Sequence, residues 1–302
     1  MKGCPLCGSE GYKVWSEKNY HAYKCRVCKV VFLWPIPDNP EVLYSEDYFR
    51  DWYIKYYSQR KLYISQLFQQ MQHYMEQNGK LLLDVGCGAG FFMEVATAQG
   101  YQVAGQDVSP FAVDFCRDKG FEVYDISLPE LFLPKRSFDV ITMFDVIAHL
   151  KDPISYIETC RSLLKPGGYL VIKTPYHSSL LFSLARVLSF TCKSRILLHI
   201  PAQIYHFNKH TFKTLAEKKD FSVIACLYTR EFIFPLSRNL KIFLSDILKR
   251  CCLEKSILVI LVLPTLAWVE VKPSAVKVDC YFEMLLIAKP IRHLFDSLYF
   301  AI

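Results

Sequence analysis

Four cysteines near the start of the chain have the types and spacing of metal ligands. Cys4 and Cys7 form one C-x-x-C pair, and Cys25 and Cys28 form a second pair 17 residues later. Four thiolates around one ion leave no coordination position for water, so the metal is expected to be structural rather than catalytic. A redox role of either C-x-x-C pair is the alternative. The presence of two such pairs at this separation disfavours it. The spacing predicts a structural Zn²⁺ site.

A second group of residues could hold a nucleotide-like ligand. Residues 84–90 read Asp-Val-Gly-Cys-Gly-Ala-Gly and follow a short apolar run. Glycines between a strand and a helix let the backbone approach a ligand, and the helix start presents free N–H groups. A dinucleotide fingerprint, G-x-G-x-x-G, needs its third glycine at position 91, where this chain has Phe91. The pattern therefore favours a nucleoside ligand over a dinucleotide.

A second carboxylate follows the next apolar run. Asp107 comes directly after residues 101–106, and Ser109 and Pro110 then begin a helical pattern. A carboxylate at the end of this strand can accept both hydroxyls of a ribose. Helix capping by Asp107 is the alternative.

The elements that must position these residues alternate along the chain. Short apolar runs separated by helical patterns predict an α/β fold built on a mainly parallel sheet. The predicted strands of this sheet are residues 80–85, 101–106, 121–124, 137–143, 169–172, 221–227 and 281–289.

Four motifs in order resemble the class I S-adenosylmethionine-dependent methyltransferases. Residues 84–90 are similar to the D/E-x-G-x-G-x-G motif of that family, and residues 138–153 to its "FDV…DVLEHLxDP" segment. Residues 163–172 resemble the "LLKPGGxLxI" turn, and residues 204–224 the "HLxxFS…L…GFxV" passage. The resemblance implies a Rossmann-like seven-stranded sheet with helices on both faces, preceded by a zinc ribbon. It also implies an antiparallel strand at the edge of this sheet.

The resemblance also implies roles for single residues. Asp84 and the glycine loop are expected to hold the methionine part of S-adenosylmethionine, and Asp107 the ribose. The expected cofactor-binding residues are Asp84, Gly86, Cys87, Gly88, Gly90, Asp107, Val108, Asp125, Phe144 and Asp145, with Asp125 or Phe144 beside the adenine.

His149 is the leading candidate for a general base, ahead of His177, Tyr176 and His206. The alternative for each is an ordinary hydrogen-bonded side chain. Ala148, Tyr176 and Gln203 stand where the family usually has glutamate, asparagine and histidine. These departures weaken any transfer of acceptor or catalytic roles, and they leave the donor site unchanged.

The chain is expected to divide into three parts. Residues 1–34 form the zinc ribbon, residues 35–79 a linker and an aromatic-rich amphipathic helix, and residues 80–302 the methyltransferase domain. The helix is expected either to pack on the next domain or to line a ligand pocket. Apolar and basic inserts at about 180–200 and 232–268 could form a lid over a lipid-like acceptor or a plain helical cover.

Composition and charge exclude several classes of protein. The 302 residues are 52% hydrophobic and 22% charged, which excludes a disordered chain. Residues 182–255 carry 13 basic and 5 acidic side chains, which suits an anionic or lipid-linked acceptor or a solvated lysine face. Residues 1–52 carry 7 of each sign, so no nucleic acid partner is expected.

The uncharged apolar run of residues 256–269 is too short for a membrane span. No apolar stretch follows the first lysine, so the protein is expected in the cytoplasm. Peripheral membrane contact and the oligomeric state stay open.

These observations predict methyl transfer from S-adenosylmethionine to a small molecule, with a sugar, nucleotide-sugar or cell-surface precursor as the preferred acceptor. A noncatalytic zinc-ribbon binding protein that retains a nucleotide pocket is one alternative. An NAD-dependent oxidoreductase is the other, which Phe91 disfavours.

Overall fold

A computed structural model describes residues 1–17, 19–37, 54–75, 79–176, 203–230 and 282–290. The strands are β1 (Lys2–Gly3), β2 (Glu10–Glu17), β3 (Tyr20–Cys25), β4 (Val31–Trp34), β5 (Leu81–Val85), β6 (Gln102–Gln106), β7 (Glu122–Tyr124), β8 (Phe138–Phe144), β9 (Leu164–Pro175), β10 (Tyr205–His206), β11 (Phe221–Arg230) and β12 (Phe282–Pro290). The helices are α1 (Tyr57–Gln72), α2 (Phe91–Ala98), α3 (Pro110–Arg117), α4 (Pro153–Leu163) and α5 (Lys209–Lys218). Both predicted inserts lie outside the described residues.

Seven strands form the larger sheet, in the order β11-β12-β9-β8-β5-β6-β7. β5 pairs in parallel with β6 on one side and with β8 on the other. Strand order therefore reverses between β5 and β8, and in open parallel sheets such a reversal leaves a crevice at the carboxyl ends of the strands. The predicted α/β fold is confirmed.

The predicted position of the antiparallel strand was wrong. β12 lies inside the sheet, antiparallel to both β9 and β11, and β11 is the edge strand on that side. Burial explains this arrangement: Leu286, Ile287 and Ala288 are all buried, as expected of a strand covered on both faces.

The amphipathic helix α1 packs on the larger sheet, in a buried cluster that includes Leu82 of β5 and Val140 of β8. This packing was one of the two roles predicted for the helix. Its buried residues Leu67, Phe68 and Met71 recur at helical spacing. The Phe68 ring lies 5.7 Å from that of Phe92 and 5.6 Å from that of Tyr101. Within the described residues, no helix is both long enough and apolar enough to cross a membrane.

The smaller sheet has the strand order β1-β2-β3-β4-β10. Its first four strands come from residues 2–34, whereas β10 comes from the C-terminal third of the chain. Phe32 and Tyr205, which pair across β4 and β10, belong to the same buried hydrophobic cluster as Leu83 and Ile141 of the larger sheet. The cysteine-bearing part therefore shares a core with the rest of the protein.

Candidate functional site

The glycine loop lies at the carboxyl end of β5, next to the reversal in strand order. Gly86, Gly88 and Gly90 all have positive φ angles, of 67°, 54° and 75°, which only glycine adopts without strain. A Cβ at Gly86 would lie 2.2 Å from Val146 Cγ2. Any side chain at position 86 would therefore force the Val146 side chain, in the loop that follows β8, to move.

Asp107 is held against this loop by backbone hydrogen bonds. Gly88 N donates to its Oδ2 at 2.8 Å, and Ser109 N donates to its Oδ1 at 2.9 Å. Burial raises the pKa of Asp107, and the N–H donors oppose that shift. The carboxylate thus connects the end of β6 to the glycine loop.

Asp84 is buried at the end of β5 with one hydroxyl donor. Thr142 Oγ1 donates to its Oδ1 at 2.7 Å. Burial raises the pKa of Asp84 to about 7, the Asp107 charge adds to this shift, and the Thr142 hydrogen bond opposes it. A cation that reached this carboxylate would therefore favour its ionised form.

Two adjoining cavities meet at the glycine loop. The larger has a volume of about 700 Å³ and the smaller about 70 Å³, and both are lined by Gly86, Gly88, Phe144 and Asp145. The larger cavity is also lined by the predicted residues Asp107, Val108, Asp125 and His149, and the smaller by Asp84 and Cys87. Gly90 lines neither cavity and instead precedes α2. The fold therefore brings all the other predicted cofactor residues to one place.

Sequence reasoning missed three polar side chains of the smaller cavity, Arg60, Tyr63 and Lys173. Lys173 is buried, and its Nζ lies 2.5 Å from Asp145 Oδ2 and 5.6 Å from the centre of the Tyr63 ring. Arg60 is buried on α1, which therefore both packs on the sheet and lines the cavity. The sequence did contain one indication of this site, a lysine inside the otherwise apolar β9. A buried charge needs a partner of opposite charge, so Lys173 predicts a nearby acidic side chain.

The candidate bases occupy different surroundings. His149 lines the larger cavity, and its backbone N–H donates to the Val146 carbonyl at 2.9 Å. Tyr176 packs against Tyr228, with ring centres 4.9 Å apart, and His206 is buried. Neither Tyr176 nor His206 lines the two cavities, and His177 lies outside the described residues.

The four cysteines converge at the turns that join β1 to β2 and β3 to β4. Their Sγ atoms all lie within 4.8 Å of one another, with Cys4 and Cys28 at 3.6 Å and Cys7 and Cys25 at 3.4 Å. Tetrahedral Zn–S bonds of about 2.3 Å place sulfur atoms about 3.8 Å apart, so the set fits this ion. The contact with Cys28 lowers the pKa of the Cys4 thiol to about 5.

The sequence matches the methyltransferase domain family over residues 56–226, which is more than half of the chain. The chain therefore belongs to that family, in agreement with the sheet order and the glycine loop.

Two similar curated proteins are ubiquinone biosynthesis O-methyltransferases. The one from Histophilus somni is 38% identical over 106 residues, covering 32% of this chain and 44% of the relative. The one from Xanthomonas axonopodis pv. citri is 36% identical over 120 residues, covering 37% of this chain and 50% of the relative. The chain thus spans about half the length of these relatives.

A solved structure supports the fold. It is a chain from the complex between the Haloferax volcanii Trm112 methyltransferase activator and a methyltransferase. The two chains are 15% identical with a TM-score of 0.55, over 82% of this chain and 97% of the other.

Proposed function

We propose that this protein transfers a methyl group from S-adenosylmethionine to an oxygen of a small-molecule acceptor. The observation that carries this proposal is the arrangement of Asp84, Asp107 and the glycine loop around two adjoining cavities at the reversal in strand order. The names of the curated relatives support an oxygen as the methylated atom.

The charges of the smaller cavity suit the methionine end of the donor, which carries an ammonium, a carboxylate and a sulfonium. Asp84 would face the cationic groups and Arg60 the carboxylate. Asp107 would accept the ribose hydroxyls, while Asp125, which is exposed at the rim of the larger cavity, would border the adenine. Phe144 and Asp145, which line both cavities, would then lie near the sulfonium.

When bound, S-adenosylmethionine supplies an activated methyl group, so the protein needs chiefly to align the acceptor oxygen behind that group. His149 lines the larger cavity and would take the proton of the acceptor hydroxyl as the methyl group moves. The Lys173–Asp145 pair would add a fixed charge pair beside the reacting atoms. Phe91 and Phe92 line the smaller cavity and would limit the entry of water.

Among small molecules, the acceptor that we propose is a sugar, a nucleotide-sugar or a cell-surface precursor. An anionic or lipid-linked acceptor would suit the basic segment 182–255, most of which lies outside the described residues. A panel that compares sugars and nucleotide-sugars with simple phenols tests this choice, using donor labelled in its methyl group. Label in phenols alone would overturn the sugar proposal, and donor binding without transfer to any acceptor would favour the noncatalytic alternative.

We also propose that the four cysteines bind a structural Zn²⁺, on the basis of their converging sulfur atoms. The metal would stabilise the turns between the short strands β1 to β4. Stoichiometric zinc in the purified protein, measured by mass spectrometry, is the expected result. Protein that neither contains nor takes up zinc would contradict the proposal.

The donor assignment is tested by binding of S-adenosylhomocysteine, measured by calorimetry. Asp107→Ala should weaken binding by about 1–3 kcal/mol, the usual loss for hydrogen bonds to a charged group. Asp118→Ala is a matched control, because Asp118 is exposed at the end of α3. Equal affinity of wild type and Asp107→Ala would exclude the ribose role, and binding of NAD instead would favour the oxidoreductase alternative.

A further inference from the structure

The turn that carries His149 is held from behind by two residues of the C-terminal third. The backbone N–H groups of Ile204 and Tyr205 both donate to the Ala148 carbonyl, at 2.8 and 3.1 Å. The Tyr205 hydroxyl donates to the Lys151 carbonyl at 3.2 Å. Since His149 and Lys151 line the larger cavity, these three hydrogen bonds fix one wall of that cavity.

This wall segment, residues 148–151, is connected to the cysteines through the smaller sheet. Leu33 N donates to the Ile204 carbonyl at 3.0 Å, and Tyr205 pairs with Phe32 across β4 and β10. β4 begins three residues after Cys28. The strand that leaves the second cysteine pair is therefore the strand that holds Tyr205.

Helix α5, which follows β10, contacts both cysteine pairs. Thr211 Oγ1 is buried and donates to the Cys28 carbonyl at 2.9 Å. The Asn208 side chain donates to the Lys29 carbonyl at 3.1 Å, and Lys218 Nζ donates to the Cys7 carbonyl at 3.3 Å. Residues on both sides of Tyr205 are thus bonded to the cysteine turns or to the strand that follows them.

The Tyr205 ring packs among residues of the cysteine-bearing strands. It is buried in the hydrophobic cluster that includes Cys4, Cys28 and Phe32. Many small metal-binding modules lose their fold when the metal is removed. Loss of order in β3 and β4 would then remove both the strand partner of β10 and part of the packing around the Tyr205 ring.

We propose that the four-cysteine module positions the wall segment through Tyr205, so that metal occupancy at the cysteines controls ligand affinity in the larger cavity. This inference rests on the structural-metal proposal and adds a coupling between two parts of the molecule. Tyr205 is a positioning residue, because it contacts the wall segment from behind and does not line the cavity.

The test compares full-length wild type with Cys25→Ser and with the matched control Cys226→Ser, whose half-buried cysteine lies on β11. Metal content, hydrogen exchange and calorimetric binding of S-adenosylhomocysteine are measured on each. Metal-depleted Cys25→Ser should show exchange about tenfold faster in residues 148–151 and about tenfold weaker binding. Exchange in α3 should not change, because its buried residues Val113 and Cys116 lie in a separate cluster. Unchanged exchange in residues 148–151 after metal loss would overturn the coupling.

Tyr205→Phe tests the same coupling if Cys25→Ser fails to fold. This variant keeps the ring and removes only the hydroxyl that reaches Lys151. We expect full metal content, unchanged exchange in β3 and β4, and exchange about threefold faster in the wall segment. A uniform increase in exchange across the protein, or no change in the wall segment, would contradict a positioning role.

The two proposals fail in different ways. Protein that never contains metal refutes the structural-metal proposal and the coupling with it. If the wild type holds metal but exchange in the wall segment does not change when the metal is lost, only the coupling is refuted. If S-adenosylhomocysteine does not bind to wild type, the donor proposal fails, while the exchange measurements still decide the coupling.

Discussion

At the scale of single residues, the two carboxylates of the candidate donor site have different stabilising partners. Asp107 accepts two backbone N–H groups, whereas Asp84 is buried and accepts the Thr142 hydroxyl. Burial raises the pKa of Asp84 to about 7. Its ionisation at neutral pH should therefore respond to what binds beside it.

Donor affinity should rise as the pH increases from about 6 to about 8. Because the pKa of Asp84 in the folded protein is raised to about 7, its neutral form dominates below that pH, and a cationic ligand must displace a proton. Affinity should increase by up to about tenfold over this range, measured by calorimetry with S-adenosylmethionine. Asp84→Asn should bind more weakly and lose this part of the pH dependence; wild-type affinity that is constant with pH would exclude the proposed contact.

At the scale of elements, Glu94 fixes α1 to α2. Its carboxylate accepts from Lys119 at 2.7 Å, from Lys61 at 2.9 Å and from the Tyr57 hydroxyl. Burial opposes ionisation of Glu94, but these hydrogen bonds outweigh it and lower the pKa to about 2. The carboxylate is thus charged at neutral pH and holds the helix that brings Arg60 to the smaller cavity.

Glu94→Gln should weaken S-adenosylhomocysteine binding by about threefold to tenfold, because α1 is then held less firmly over the smaller cavity. The lost stability should be only about 1 kcal/mol, since the lysine partners are partly exposed. Calorimetry and denaturant unfolding measure the two effects. Glu158→Gln is the control, because Glu158 pairs with Lys219 away from both cavities; an equal effect in both variants would argue against a specific role of Glu94.

At the scale of the whole molecule, the cysteine-bearing sheet and the larger sheet share one buried cluster. This cluster joins Cys25 and Phe32 to Phe212 and Ile141. The Phe207 and Phe212 rings stack with centres 4.7 Å apart and continue the cluster from β10 towards α5. Residues 1–34 are therefore not packed as a separate body. The domain boundary at residue 34 stays a prediction from the sequence.

Phe32→Ala should destabilise both sheets together. Truncating a fully buried phenylalanine costs about 3–5 kcal/mol, and a shared core should spread that loss to β5 and β8. Hydrogen exchange in excess zinc, followed separately in β3 and in β5, measures it. Faster exchange confined to the smaller sheet would show instead that the two sheets unfold independently.

The sequence determined the features that depend on neighbouring residues. Alternating apolar runs and helices predicted the α/β sheet, which the structure confirms, and the glycines and acids of residues 84–107 predicted the place of the cavities. Such motifs are local, because a tight turn, a strand end and a C-x-x-C pair are each specified within a few residues. The roles assigned to the site residues remain predictions.

Only the tertiary structure decided which distant residues meet. A two-residue strand such as β10 is too short to show a periodic pattern, so the sequence could not predict its pairing with β4. Arg60 and Lys173 were missed because burial of a charge depends on partners that folding supplies from elsewhere in the chain. The position of β12 inside the sheet likewise follows from long-range packing of its apolar residues on both faces, which no local pattern specifies.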